Sequence, residues 1–350
     1  AIHLCAPLSL RACQSSHASC IVYSTRNMLG KMKKLLMLIL VIVFGFSMLV
    51  VGRPDMSEVG IPYAQPAHAN ANLTARWLGV ATLLLDDGET QIMTDGFISR
   101  PSFFDVVLER PIAPDLSAIK SAIETHDIKR LAAVMPLHSH YDHALDSADI
   151  ARFTGADVLG SPSTANIARS SLIDPASIKI IKMGESYSYG KFEITFFESR
   201  HAPLGSNTKI SGEVRAPFQI PAPYTAWKQG SCYSIHIKHP DGSVLVQGSA
   251  GFIPGQLDGL QADVVFLGVG GFGQLDSAYI FDYVGETVHA VQARRTYIIH
   301  HDDFFAPFGT VEQSKLFPSF DKTSAFNLLQ LVMPAKLMQP SFGVFIAIDE

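Results

Sequence analysis

The chain has 350 residues and is 47% hydrophobic, which is enough for one large α/β domain with a sizeable core. Its 27 Lys/Arg and 32 Asp/Glu give a net charge of −5, but residues 1–53 hold six of the cations and no acid, so residues 54–350 carry −11. An acidic body of this kind argues against nucleic acid as a partner, because phosphate binding needs clustered Lys and Arg.

Residues 1–27 fit nothing downstream and are read as a start-site artefact or a disordered leader. They hold Cys5, Cys13 and Cys20 and precede the first methionines, Met28 and Met32. Cys232 is then the one cysteine left, so no disulfide framework and no CxxC metal motif is expected, and Cys232 itself reads as core packing. In residues 28–54, Lys31, Lys33 and Lys34 precede an uncharged run from Leu35 to Val51. That run has the length of a short membrane span, and its basic flank belongs on the cytoplasmic side. The expectation is a transmembrane anchor with the rest of the chain on the non-cytoplasmic side, periplasmic or extracellular. A signal peptide is the rival reading, and the protein is then secreted. The nearest small-x-small site, Ala67-His68-Ala69, lies well beyond the apolar run, which favours the uncleaved anchor. Residues 55–72 are rich in Pro, Ala and Asn and read as a linker.

The folded domain is expected over 73–350. Hairpins are predicted around Asp86–Glu89, Gly190 and Asp241-Gly242, where β-rich runs flank turn residues. Helical patterns follow at 115–127, 142–155, 161–172, 277–295 and 324–332, the third with a Ser-Pro start signal. Buried strands are predicted at 130–137, 156–161, 262–270 and 296–301. Hairpins mixed with β/α units imply sheets covered by helices. The glycine run at 267–273 lacks the Lys-Ser/Thr of a phosphate loop and reads as a turn.

His138, His140, Asp142 and His143 crowd the loop between the strand at 130–137 and a helix predicted from Ala144. Ligands bind at such carboxyl ends in α/β folds. An extended backbone sends His138 and His140 to one side, and imidazole with carboxylate suits zinc and similar divalent metals. The run H-x-H-x-D-H resembles the signature of the metallo-β-lactamase-fold hydrolases. Further stations agree in order: Asp95 after the first hairpin, His201 at a strand end, and His300 after the strand at 296–300, as in lactonase-like and phospholipase D-like branches. The resemblance spans roughly 73–350. It implies an α+β fold, a four-layer αββα sandwich, with a metal site at one edge between the sheets. One station departs: where the family has an aspartate bridging two metals, this chain has Ser249.

A neutral hydroxyl is a poor bridge between two dications. His138, His140 and His201 are therefore expected to hold one firm Zn2+, and Asp142, His143 and His300 a weaker second. If the second site is empty, Asp142 becomes a catalytic general base. Zinc lowers the pKa of bound water to about 7, so hydroxide is expected to attack an ester, lactone, amide or phosphodiester. Asp95 is expected to orient a histidine ligand, Asp302 and Asp303 to do likewise or form a solvated turn, and His301 to face substrate or simply pack. The long insertion at 202–230 reads as a lip suited to a small-molecule or lipid-like substrate, or as plain cover in which Phe218, Ile220, Tyr224 and Trp227 pack on the sandwich. The alternative function is a membrane-tethered metal- or ligand-binding protein with weak catalysis, which Ser249 favours. A di-iron oxidoreductase is disfavoured, because Ser139-His140-Tyr141 lacks the glutamate of that branch.

Overall fold

Strands of this chain bury both faces, and that sets the layers. In Leu83–Asp86, Leu83 and Leu85 enter one apolar cluster while Leu84 enters another. In Val264–Gly268, Val264 and Phe266 join that first cluster while Val265 and Leu267 join a third. Side chains on a strand alternate sides, so a strand apolar on both must be covered on both. The computed structural model describes residues 28, 30–41, 43–45, 56–205, 207–310, 323–333 and 337–349.

The chain divides into two units, Ala1–Arg53 and Pro54–Glu350. In the first, the described residues are helical and exposed. No helix among the described residues is long and apolar enough to cross a membrane. The leader expected over 1–27 lies outside the described residues, as do 29, 42 and 46–54 of the expected anchor and residue 55 of the expected linker.

The second unit contains two seven-stranded sheets. One runs in spatial order Phe345–Ala347, Thr74–Trp77, Leu83–Asp86, Gln91–Thr94, Leu131–Met135, Asp157–Gly160 and Ile178–Ile180. The other runs Leu337–Met338, Arg295–Ile299, Val264–Gly268, Gly242–Gln247, Cys232–His239, Phe192–Ser199 and Ser186–Tyr189. Leu83, Leu85, Ile92 and Met135 of the first sheet meet Ile194, Phe196, Ile235, Val246 and Phe266 of the second in a fully buried central layer. The helices Leu116–Thr125, Ser147–Thr154 and Pro162–Ser170 cover the outside of the first sheet through Ile119, Ile150 and Ala168. The helices Ser277–Val284 and Thr323–Val332 cover the second through Ile280, Tyr283, Phe326 and Leu329. The order is helix, sheet, sheet, helix.

Three expectations need correction. The stretch 55–72 is not a free linker: Met56, Val59 and Ile61 are buried in the second outer cluster. The Gln339 amide donates to the Met56 and Ile61 carbonyls at 3.3 and 2.7 Å. The Pro/Ala/Asn composition hid three apolar residues close enough in sequence to share one face. The helical pattern at 142–155 splits into Tyr141–Ala144 and Ser147–Thr154. The one beginning at 277 stops at Val284 and continues as a π turn over Gly285–His289, where glycine weakens the α-helix.

The strands ending at Met135, Ser199, Gln247, Gly268 and Ile299 deliver their carboxyl ends to one edge of the sandwich. Gln91–Thr94 ends at the same edge, and Asp95, His138, His201, Ser249, Gly270 and His300 stand just beyond these strand ends.

Candidate metal centre

The loop after Met135 is pinned to both sheets. The Leu137 N–H donates to Asp95 Oδ1 at 2.8 Å, and the Leu137 carbonyl accepts from the Tyr233 N–H at 2.9 Å. His138 leaves this anchored backbone. His140, extended at φ −63° and ψ 158°, opens the short helix Tyr141–Ala144, whose first turn carries Asp142 and His143. That helix begins at Tyr141 rather than at Ala144, so the motif is half extended and half helical. Two site residues have left-handed backbones, Asp95 at φ 54° and His300 at φ 60°. Such a conformation is unfavourable for histidine and persists only where the surroundings impose it. Here the His300 N–H is held by the Val80 carbonyl at 2.8 Å. Gly270 faces the His300 ring, and a Cβ there would lie 2.7 Å from Nδ1, so only glycine fits without displacing the ring.

Two donor sets result, His138/His140/His201 and Asp142/His143/His300, each with its ligand atoms within 4.8 Å of one another. The proton positions follow from what stands behind each ring. A carbonyl or carboxylate oxygen can only accept, so the nitrogen facing it carries the hydrogen. His140 Nε2 faces the Ile210 carbonyl at 3.4 Å, His201 Nδ1 faces the Ala202 carbonyl at 3.0 Å, and His143 Nδ1 faces Asp95 Oδ2 at 2.6 Å. The other nitrogen of each ring is left as a lone pair toward the site. His140 Nδ1 lies 3.0 Å from His138 Nε2. His143 Nε2 is buried without a hydrogen-bond partner. Asp142 Oδ2 lies 3.5 Å from both His143 Nε2 and His300 Nε2. A buried polar atom with no partner costs free energy, and a cation shared among these lone pairs removes that cost. The residues present therefore fit a divalent metal.

Electrostatics point the same way for His138, His140 and His201, whereas in the second set the two carboxylates favour positive charge at His143. Burial, helped by neighbouring imidazoles, holds the His138 pKa far below the ordinary histidine range, and burial with His201 brings His140 to about 3. His201 is also lowered by burial. All three are neutral ligands at pH 7. Burial opposes charge on His143, but Asp95 and Asp142 outweigh it and raise its pKa. Burial would raise Asp142, but His143 and His300 outweigh it and hold the carboxyl well below its usual range.

The beta-lactamase superfamily domain matches residues 103–301, more than half of the chain and every candidate ligand. The chain belongs to this superfamily. A UPF0173 metal-dependent hydrolase of Pyrobaculum islandicum is 26% identical over 136 residues, 37% of this chain and 53% of that protein. Its counterpart from Rhizobium etli is 27% identical over 126 residues, 36% of this chain and 47% of that protein. The chain thus spans about half the length of these curated relatives. Among solved structures, Igni18, a metallo hydrolase from Ignicoccus hospitalis, aligns with a TM-score of 0.49 and 11% identity over 78% of this chain and 96% of that one.

The remaining sequence-expected residues of this beta-lactamase superfamily domain divide sharply. Asp95 supports His143 and Leu137 as described. Asp302 accepts from the Val80 N–H at 2.8 Å and from Arg100 at 3.1 Å, and it lines the cavity in front of the ligands. Ser249 reaches the same cavity, where its Oγ accepts the Ala202 N–H at 3.0 Å. His301 does not face that cavity. It is buried and stacked on Trp77 at 4.9 Å, because consecutive residues after a strand point to opposite sides. The insertion behaves as both readings at once. Phe218, Ile220, Tyr224 and Trp227 pack with Phe97 and Tyr141 in a cluster of their own. Leu204, Asn207, Ile210, Ser211 and Gln229 line the cavity instead. The sequence reading missed these five and also Phe304. Their one signal was membership of the insertion, since nothing in residue type separates the lining from the packed half.

Proposed function

We propose that this protein is a metal-dependent hydrolase. One observation carries the reading: six donors from three separate chain segments converge, and His140, His143 and His201 each have their other ring nitrogen tied to an oxygen behind. The donor chemistry favours zinc, with His138, His140 and His201 holding the firm ion and Asp142, His143 and His300 a weaker one. A divalent ion bound there supplies a Lewis acid that polarises the scissile group and makes water acidic near neutral pH. Asp95 fixes His143 through a 2.6 Å hydrogen bond. Asp142, whose oxygen reaches the cavity, accepts the proton from attacking water when the weaker site is empty. Arg100 and Asp302 brace the loop after His300 behind them. The bond cleaved is an ester, lactone, amide or phosphodiester. We further propose that the apolar run at 35–51 tethers the domain to a membrane, on its non-cytoplasmic side, or directs secretion if cleaved. The basic Lys31, Lys33 and Lys34 support that orientation.

The experiment is metal analysis of the purified full chain, followed by a panel of generic esters, lactones, amides and phosphodiesters with and without chelator. About one zinc per chain and chelator-sensitive turnover are expected. Ser249→Asp, which puts a carboxylate where the family resemblance expects a metal-bridging aspartate, should raise the stoichiometry toward two. Metal binding without any turnover would favour the binding-protein alternative, which Ser249 supports.

A further inference from the structure

The glycine run at 267–273 reads from sequence as a turn, and the fold sets that turn in the wall of the cavity, whose volume is about 340 Å³. The Phe272 N–H closes the turn on the Val269 carbonyl at 3.1 Å, with Gly271 left-handed at φ 81° and ψ 7°. Gly270 lies against the His300 ring, and a Cβ on Gly271 would stand 2.5 Å from Leu204 Cδ1. Bare backbone is thus wedged between a candidate ligand and the lip. Closing the turn leaves two backbone donors over: neither Gly270 nor Gly271 donates its N–H to any described residue, although Gly271 is buried. Buried N–H groups are nearly always paired, so two in succession in one cavity wall call for an acceptor.

A third donor stands beside them. The strands Gly242–Gln247 and Val264–Gly268 are parallel neighbours with Gln247 opposite Leu267, so the loop carrying Ser249 and the glycine turn leave the sheet side by side. Ser249 Oγ accepts the Ala202 N–H, and its own hydrogen has no acceptor among the described residues. Ser249, Gly270 and Gly271 line the same cavity as His140, His201 and His300. We propose that Ser249 and the Gly270-Gly271 turn form an oxyanion-binding wall, whose hydroxyl and two N–H groups take the substrate oxygen on which negative charge grows when water adds to its acyl or phosphoryl centre. This rests on the hydrolase reading and names the chain's own groups that stabilise that charge. A hydrogen bond to an anionic oxygen is roughly twice as strong as one to a neutral carbonyl, so donors fixed in a turn favour the charged state over the ground state. Ser249 then has a use of its own: it puts a donor where the family resemblance expects an aspartate, whose negative charge would repel the same oxygen.

The test reads oxyanion affinity and metal content separately. Inorganic phosphate is titrated calorimetrically into the metal-replete full chain, into Ser249→Ala and Ser249→Thr, and into a chain with glycolic acid in place of Gly271, which removes that N–H and adds no Cβ. The phosphate Kd should rise about tenfold in Ser249→Ala and in the glycolic acid chain at unchanged zinc content, and Ser249→Thr, which keeps the hydroxyl, should recover part of the loss. For the fastest substrate of the panel, kcat/KM should fall ~10²-fold in the same two chains. A phosphate Kd unchanged in both, or raised only where zinc is lost, overturns the wall and leaves the hydrolase reading intact. The expected rise in Kd without turnover of any panel substrate keeps the wall as an oxyanion site and overturns the hydrolase reading.

Discussion

The two ends of the second sheet hold the same kinds of side chain put to opposite use. At the site edge, imidazoles bind protein through one nitrogen and present the other to a cavity. At the far edge, seven residues along Cys232–His239, or about 23 Å at ~3.3 Å per residue, His239 is enclosed. Its Nε2 faces Asp87 Oδ2 at 3.2 Å, while Nδ1 accepts the Asp241 N–H at 3.2 Å, and the His239 and Asp87 side chains are 1% exposed. Both ring nitrogens are used by the protein. At these two edges the difference is whether the second ring nitrogen is satisfied by the protein, as in His239, or faces the cavity, as in His140 and His201.

The largest test of that contrast is His138→Ala. Opening the first donor set should abolish tight zinc binding and lower kcat/KM by at least ~10³-fold, about 4 kcal/mol, read by metal analysis and turnover. Unchanged zinc content would break the comparison. His126 extends the enclosed class: its Nδ1 lies 3.3 Å from Arg76 Nη1, and burial, then Arg76, lowers its pKa to about 4 from 6.5. A pKa depressed by folding favours the neutral ring. The associated stability is therefore present above pH 6.5 and lost as pH falls from 6.5 toward 4, where the unfolded chain binds the proton first. Up to about 3 kcal/mol is at stake. Urea unfolding across that range should show this slope in the wild type and a flatter one in His126→Gln. Equal slopes would remove His126 from the class.

Asp95→Ala leaves His143 without its orienting partner and the Leu137 N–H without an acceptor. Metal affinity should fall about 10- to 100-fold, as for other groups standing behind a metal ligand, measured by competition with a chromophoric chelator. Asp95→Asn, which can still accept a hydrogen bond, should recover part of the loss. His239→Leu leaves Asp87 buried without its ring partner. It should cost ~1–3 kcal/mol of stability by urea unfolding and leave zinc content unchanged, and a change in zinc content would blur the distinction between the two edges.

Much of this was legible along the chain because its signals are local and periodic. Alternating apolar residues such as Leu83, Leu84 and Leu85 require two covered faces, and that forces the four layers. The run His138-x-His140-x-Asp142-His143, with His201 and His300 each just past a strand, pointed to the residues that the fold brings together, since a strand end is where a chain leaves a sheet. Tertiary structure alone decided which nitrogen of His140 and His143 is bare, because the deciding oxygens on Ile210 and Asp95 lie 70 and 48 residues away. It also turned His301 inward against Trp77, buried Met56, Val59 and Ile61 in the outer cluster of the second sheet, and chose which half of the insertion lines the cavity. These are contacts between surfaces that meet only after folding, and no periodicity within one segment encodes them.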